Sequence, residues 1–196
     1  METGSREKVT HVVRNGKTIF ALVSALNIES EFAKKHSEHL TKHGDGVKDI
    51  ALTVENCEHT FKIAKSRGAK VVKEPYKLED KNGFVILAKI QTYGDTTHTF
   101  IERSNFKGFF LPGFVEKAED PINKLIEQPK LGFIDHIVGN HPLGDMEPTV
   151  QWYEKMLDFH RFWSVDDSVI HTDYRYLIDC VVYFKFAIFL KSAIIN

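Results

Sequence analysis

Between Val47 and Arg103 the hydrophobic pattern switches from strand to helix and back again, and this stretch restricts the fold more than any other. Val47–Val54 (VKDIALTV) alternates, with Ile50, Leu52 and Val54 on one face. Glu55–Arg67 then carries Cys57, Phe61 and Ala64 on one side, the mark of an amphipathic helix. Gly68 follows where a helix end takes a glycine. Ala69–Val72 reads as a strand that Pro75 ends. Asn82-Gly83 turns the chain into a strand over Phe84–Thr92, and Gly94-Asp95 turns it again into Thr96–Arg103. The order is β-α-β-β-β, which puts the chain in the α+β class.

Partial copies of this unit flank it. Lys8–Arg14 and Thr18–Val23 form a hairpin around Asn15-Gly16, a dipeptide that tolerates positive φ. Ser30–Lys42, polar and rich in His and Lys, is either a short exposed helix or an excursion. A connector with Pro112, Pro121 and Pro129 runs from about Phe110 to Lys130. The pattern then restarts with a strand over Phe133–Gly139. A helix follows, with Pro148 in its first turn and Met146, Val150, Tyr153 and Leu157 on one side. Phe159–Val165 is the next strand, and His171–Tyr174 begins another. The chain thus has an internal architectural repeat, with one unit complete. The expected organisation is a first domain over 1–110, a linker over 111–130 and the start of a second domain over 131–196, with a divergent tail from about 175.

Composition narrows the function classes. The 196 residues are 42% hydrophobic and 27% charged, as a packed globular protein requires. A formal net charge of -1 leaves no basic excess to hold phosphates, so nucleic acid is not an expected partner. Two cysteines, Cys57 and Cys180, lie far apart, which suits a reducing, cytoplasmic setting rather than a disulfide scaffold. The opening METGSREK has no apolar core of a signal peptide. The apolar tail from Val181 to Ile195 is broken by Lys185 and Lys191 and falls short of the roughly 20 residues of a membrane span.

Ten histidines are the natural place to look for chemistry. His36, His39 and His43 lie in a polar segment and read as solvated, with no cysteine or carboxylate cluster to complete a zinc site. His59 falls on the charged face of its helix, His98 can face either way on its strand, and His141 lies in a loop beside Pro142. His136 differs, because GFIDHIVGN sets one imidazole among Ile134, Ile137 and Val138. It is either a hydrogen-bonded core residue or a metal ligand. Asp135 points to the opposite face of such a strand, so further ligands must come from other strands.

Longer strings say more. ETGSREKVTHVVRNGK, HGDGVKDIALTVE, RGAKVVKEP, QTYGDTTHTFIER, GFFLPGF, GFIDHIVGN and FHRFWSVDD cover nearly all of residues 2–174. Through them the chain resembles the 4-hydroxyphenylpyruvate dioxygenases of the vicinal-oxygen-chelate superfamily. The resemblance implies βαβββ modules paired into open barrels of strongly curved, mostly antiparallel sheet with flanking helices. It implies iron(II) held in the C-terminal barrel by two histidines and one glutamate, with positions left for substrate and O2. The implied reaction converts 4-hydroxyphenylpyruvate and O2 to homogentisate and CO2, in tyrosine and phenylalanine catabolism, in enzymes that are homodimers. His136 matches the first iron ligand. The second histidine and the glutamate belong to later strands absent from this sequence, so the resemblance implies a chain that neither holds iron stably nor turns over by itself.

Two other positions follow from the repeat. Asp49 in GVKDIAL and Glu102 in THTFIER stand where the second histidine and the glutamate stand in the homologous module, which makes them a possible vestigial metal site. Asp179 falls where the family has a serine that helps hold substrate. Two alternatives stay open: a fragment of a hydroxymandelate-synthase-like enzyme, and a non-catalytic truncated isoform that pairs with full-length subunits.

Overall fold

A computed structural model describes residues 5–118, 120–127, 129–139, 141–142, 144–165, 179–184 and 190–195. Strands β1 (Lys8–Asn15) and β2 (Thr18–Ala25) pair antiparallel up to Asn15↔Thr18. The hairpin therefore turns at Gly16-Lys17, one residue later than the sequence suggested. Gly16 takes the positive φ, 58°, while Asn15 ends the strand and uses Oδ1 to accept from Leu131 N at 2.9 Å. A Cβ on Gly16 would lie 2.1 Å from the carbonyl oxygen of Leu131, so the close approach of that segment also requires glycine.

The polar segment after β2 is a helix, α1 (Glu31–His43). Ser30 caps it, its Oγ accepting from Ala33 N at 3.0 Å. Gly44, at φ 68°, closes it by donating to Leu40 O at 2.8 Å. His36 is not solvated as expected: it shares the inner face with Ala33, is 6% exposed, and stacks on Phe32 at 5.4 Å between ring centroids.

The complete unit forms as its pattern predicts. It comprises β3 (Val47–Thr53), α2 (Cys57–Ser66), β4 (Lys70–Asp80), β5 (Gly83–Gln91) and β6 (Thr97–Glu102), in the spatial order β3-β6-β5-β4. Strands β3 and β6 are parallel, and the other neighbours in the unit are antiparallel. Alternation sends Ile50, Leu52, Ala88, Ile90 and Phe100 against Cys57, Phe61 and Ala64 of α2. Ala51, Val85, Leu87 and Ile101 line the opposite face with Phe106. Gly68, at φ 103°, donates to Lys65 O just past the helix end. Pro75 does not end β4, which runs to Asp80. The pairing with β5 slips twice, between Val71/Lys73 and Lys73/Tyr76, and β4 lies at the sheet edge, where a missing N–H removes no bond on the open side.

Parts of the later segments pack against this core. Helix α3 (Met146–Leu157) puts Met156 and Leu157 into the cluster of Phe61 and Phe100. Leu111, in the connector, packs against both Phe106 and the hairpin cluster of Val12, Ile19, Ala21 and Phe110. The expected strand over Phe133–Gly139 is absent: the stretch is irregular, with Phe133 62% and Val138 55% exposed. Strand β7 (Phe159–Val165) forms as expected and pairs antiparallel with β8 (Asp179–Phe184). His171–Tyr174 lies outside the described residues. Strand β9 (Leu190–Ile195) enters the main sheet, whose order becomes β1-β2-β9-β3-β6-β5-β4. Among the described residues no helix is long and apolar enough to cross a membrane.

Candidate functional site

His136 has neither the burial nor the partners of a core residue. Its side chain is 65% exposed, and Nδ1 meets the Asp135 carboxylate at 2.7 Å. On a strand those neighbours would diverge. Here the irregular backbone brings them together. A hydrogen bond of this kind can orient an imidazole toward a metal through its other nitrogen. Yet among the described residues no group of three or more His, Cys, Asp or Glu side chains converges. The described residues by themselves therefore do not make up a two-histidine, one-carboxylate iron site.

Asp49 and Glu102 are not brought together. In the parallel register Asp49 lies opposite Thr97, so it shares a face with Ala51 and Ile101. Glu102 lies two residues beyond Phe100 and faces α2. The sheet separates the two carboxylates, and each has other work. Glu102 Oε2 accepts from Cys57 N at 2.9 Å, satisfying a free amide in the first turn of α2. Its charge, after burial as the larger cause, pushes the Cys57 thiol up to about 12. Cys57 is thus a packed core thiol and no nucleophile.

Asp49 is 2% exposed and is the charged centre of the other face. Its Oδ2 takes Lys89 Nζ at 2.9 Å, Thr99 Oγ1 at 2.9 Å and a close bond from Thr97 Oγ1. Among the described residues its Oδ1 has no partner. Burial, and then the ammonium groups of Lys89 and Lys73, push the nearby Lys8 below the usual lysine range. A buried carboxylate tied to one ammonium and two hydroxyls neutralises that lysine and locks β3 to β5 and β6.

His43 and His98 also have fixed partners. His43 Nε2 and Lys42 Nζ meet Asp95 Oδ2 at 2.8 and 2.6 Å, and these bonds hold the Asp95 carboxyl at about 2. That contact ties α1 to the β5–β6 turn. His98, ambiguous from sequence, is 3% exposed. Its Nδ1 bonds Ile50 O at 2.9 Å and its Nε2 bonds the Tyr153 hydroxyl at 3.0 Å. A carbonyl only accepts, so Nδ1 carries the proton and Nε2 accepts from Tyr153. Burial holds this imidazole below its ordinary value and keeps it neutral. The signal missed in the sequence is the pairing of His98 with Tyr153: both lie on apolar faces of their elements, and each leaves a polar atom there that needs a partner. Tyr93 and His141 extend the cluster, their rings 4.4 Å apart. Beside it a cavity of about 160 Å³ is lined by Leu52, Phe100, Met156, Leu157 and Phe159, with Arg67 and Asp158 among its other lining residues.

Comparison with known proteins places this geometry. No protein-family model matches the chain. It is 53% identical over 184 residues to a 4-hydroxyphenylpyruvate dioxygenase of Danio rerio, covering 93% of this chain and 46% of the relative. It is 50% identical over 184 residues to the protein of the same name from Dictyostelium discoideum, covering 93% and 49%. The chain spans about half the length of the curated relatives it matches. Among solved structures, a triple mutant of 4-hydroxymandelate synthase from Streptomyces coelicolor superimposes with a TM-score of 0.71 at 19% identity, covering 98% of this chain and 51% of that one. That likeness shows the fold, the α+β vicinal-oxygen-chelate architecture. The sequence relatives bear out the resemblance to 4-hydroxyphenylpyruvate dioxygenases.

Proposed function

We propose that this chain carries part of the machinery of an iron(II)-dependent 4-hydroxyphenylpyruvate dioxygenase. The observation that carries the reading is identity of about half the residues over 93% of the chain, in relatives of that name. In this reading the whole enzyme converts 4-hydroxyphenylpyruvate and O2 to homogentisate and CO2, in a cytoplasmic setting and as paired subunits. Residues 1–110 serve as the non-catalytic scaffold domain and 111–130 as its linker. The stretch from 131 onward supplies the opening of the catalytic domain.

His136 is the first iron ligand in this reading. A single exposed imidazole holds a divalent metal little better than water does, whereas three fixed ligands set both affinity and geometry. We therefore assign this chain a positioning role. Its own residues build the sheet, bury Asp49 and His98, and bring α3 against α2. Asp135 orients the His136 ring through Nδ1. Drawing His136 into a metal site requires residues 133–139 to join a sheet, which requires strand partners for them.

The test is direct. Purified chain is supplied with iron(II), ascorbate, 4-hydroxyphenylpyruvate and O2, and homogentisate is measured beside a protein-free control. The expected result is no product above the control. Homogentisate formation that disappears in His136→Ala would overturn the positioning role. Hydroxymandelate in its place would overturn the product assignment.

A further inference from the structure

Helices α2 and α3 end beside one another, and the residues that close them carry opposite charges. Arg67 closes α2 and Asp158 closes α3, with guanidinium nitrogen and carboxylate oxygen 3.7 Å apart. At that distance the pair lies beyond hydrogen-bonding reach, so both groups keep bonding capacity. A solvent-exposed ion pair of this kind adds little to stability.

Asp158 is also a poor local choice. Among the described residues it is the one non-glycine with a positive φ, 60°, a conformation that favours glycine or asparagine at a helix end. Its charge lies at the negative end of the α3 dipole, where a cation is preferred. Two unfavourable choices at one position, with only a loose ion pair to offset them, point to a use for this carboxylate other than folding.

The same two residues line the cavity of about 160 Å³ bounded by α2, α3 and the sheet. Its inner wall is apolar, with Leu52 and Phe100 3% and 1% exposed and Met156 and Leu157 also buried. Thr60 adds no free proton to that wall, because its hydroxyl donates to Asn56 O at 2.9 Å. The Arg67 and Asp158 side chains are 36% and 69% exposed, which puts them at the mouth. An apolar cavity of about 150 Å³ has room for a benzene ring.

A cation and an anion over a ring-sized apolar space match a zwitterion with an apolar body. In an α-amino acid one carbon separates the ammonium from the carboxylate, a span comparable to the gap between Arg67 and Asp158. Its carboxylate can bond the guanidinium while its ammonium bonds the Asp158 carboxylate, so that the four charges alternate. The side chain, on the same carbon, then enters the cavity. A simple anion is repelled by Asp158, and a simple cation by Arg67.

We propose that this cavity is a binding site for a free α-amino acid with a large apolar side chain, held by Arg67 and Asp158. The inference stands apart from the dioxygenase reading.

The probe is L-phenylalanine, added to the folded full chain. Amide chemical shifts should saturate with a half-point at about 1 mM or below. Nuclear Overhauser contacts should join the ligand ring to the methyl groups of Met156 and Leu157. Phenethylamine lacks the carboxylate and 3-phenylpropanoate lacks the ammonium. Each should bind about tenfold more weakly or worse, having lost a charge-assisted bond. Arg67→Gln should weaken L-phenylalanine by a similar factor without weakening phenethylamine. Asp158→Asn, which tolerates the same backbone, should weaken L-phenylalanine without weakening 3-phenylpropanoate. The analogue series needs no variant, so it decides the matter even where a variant misfolds. No saturation in the millimolar range, ring contacts only to other residues, or analogues that match L-phenylalanine would overturn the proposal. So would folded variants that bind L-phenylalanine as the parent does.

Discussion

Strand β6 and the stretch 133–139 each carry one histidine in a sequence that reads as a strand. In β6, His98 is 3% exposed and both ring nitrogens are bonded. In the other stretch the His136 side chain is 65% exposed and, among the described residues, bonds its neighbour's carboxylate. Local composition does not separate the two. What separates them is edges: β6 lies between β3 and β5 and shares a ladder with each, while residues 133–139 belong to no strand. A strand is a property of the sheet that receives it, because its backbone groups must bond somewhere.

This contrast can be broken or sharpened by substitution. The largest effect is expected at Phe100, which is 1% exposed beneath α2: Phe100→Ala should cost about 3–5 kcal/mol in urea unfolding. Phe133→Ala, the counterpart in the irregular stretch, should change stability by no more than about 0.5 kcal/mol. Equal losses would mean that 133–139 is as well packed as β6.

Next in size is Asp49. Asp49→Ala strands the Lys89 ammonium and two hydroxyls on the face opposite α2. The loss should be about 3 kcal/mol, at the lower end for a broken buried pair because Lys89 is partly exposed. Asp49→Ala with Lys89→Met should recover part of it. A double variant no better than the single one would show that the carboxylate does not serve to neutralise that lysine.

Smaller effects test the His98–Tyr153 link. Tyr153→Phe deletes one hydroxyl and leaves Nε2 of His98 unpaired, at a cost of about 1–2 kcal/mol. The same imidazole gives a pH signature. Burial holds His98 below its ordinary value of 6.5 in the folded chain. Its share of stability is complete above about pH 6.5 and is lost as pH falls through the lower folded value. Unfolding free energy measured from pH 7.5 downward should fall less steeply in His98→Gln than in the parent. Parallel acid limbs would count against a buried neutral ring. The smallest effect belongs to His136→Ala, again within about 0.5 kcal/mol.

Much of the fold is legible in the residues themselves. The unit from Val47 to Arg103 announces itself because each element repeats its own period and ends at a recognisable glycine turn, as at Gly68, Gly83 and Gly94. The readings that failed share one cause. Pro75 looked like a stop, but β4 is an edge strand that bulges around it. His36 looked solvated because its segment is polar overall, but the helix turns it to the buried face with Ala33 and stacks it on Phe32. Asp49 and Glu102 looked like a pair until the register put the sheet between them. Each error used sequence neighbours where spatial neighbours decide.

The sequence alone determined the order of elements from Val47 to Arg103, the shared face of Ile50, Leu52 and Val54, and the likeness to a family of dioxygenases, because periodicity and long shared strings are local and survive without a partner. Only the tertiary structure decided which faces are covered, that Glu102 accepts from the first amide of α2, that His98 meets Tyr153, and that β9 lies between β2 and β3. Those outcomes depend on contacts between residues far apart in the chain. Burial and backbone bonding, rather than local preference, choose among the arrangements that the residues allow.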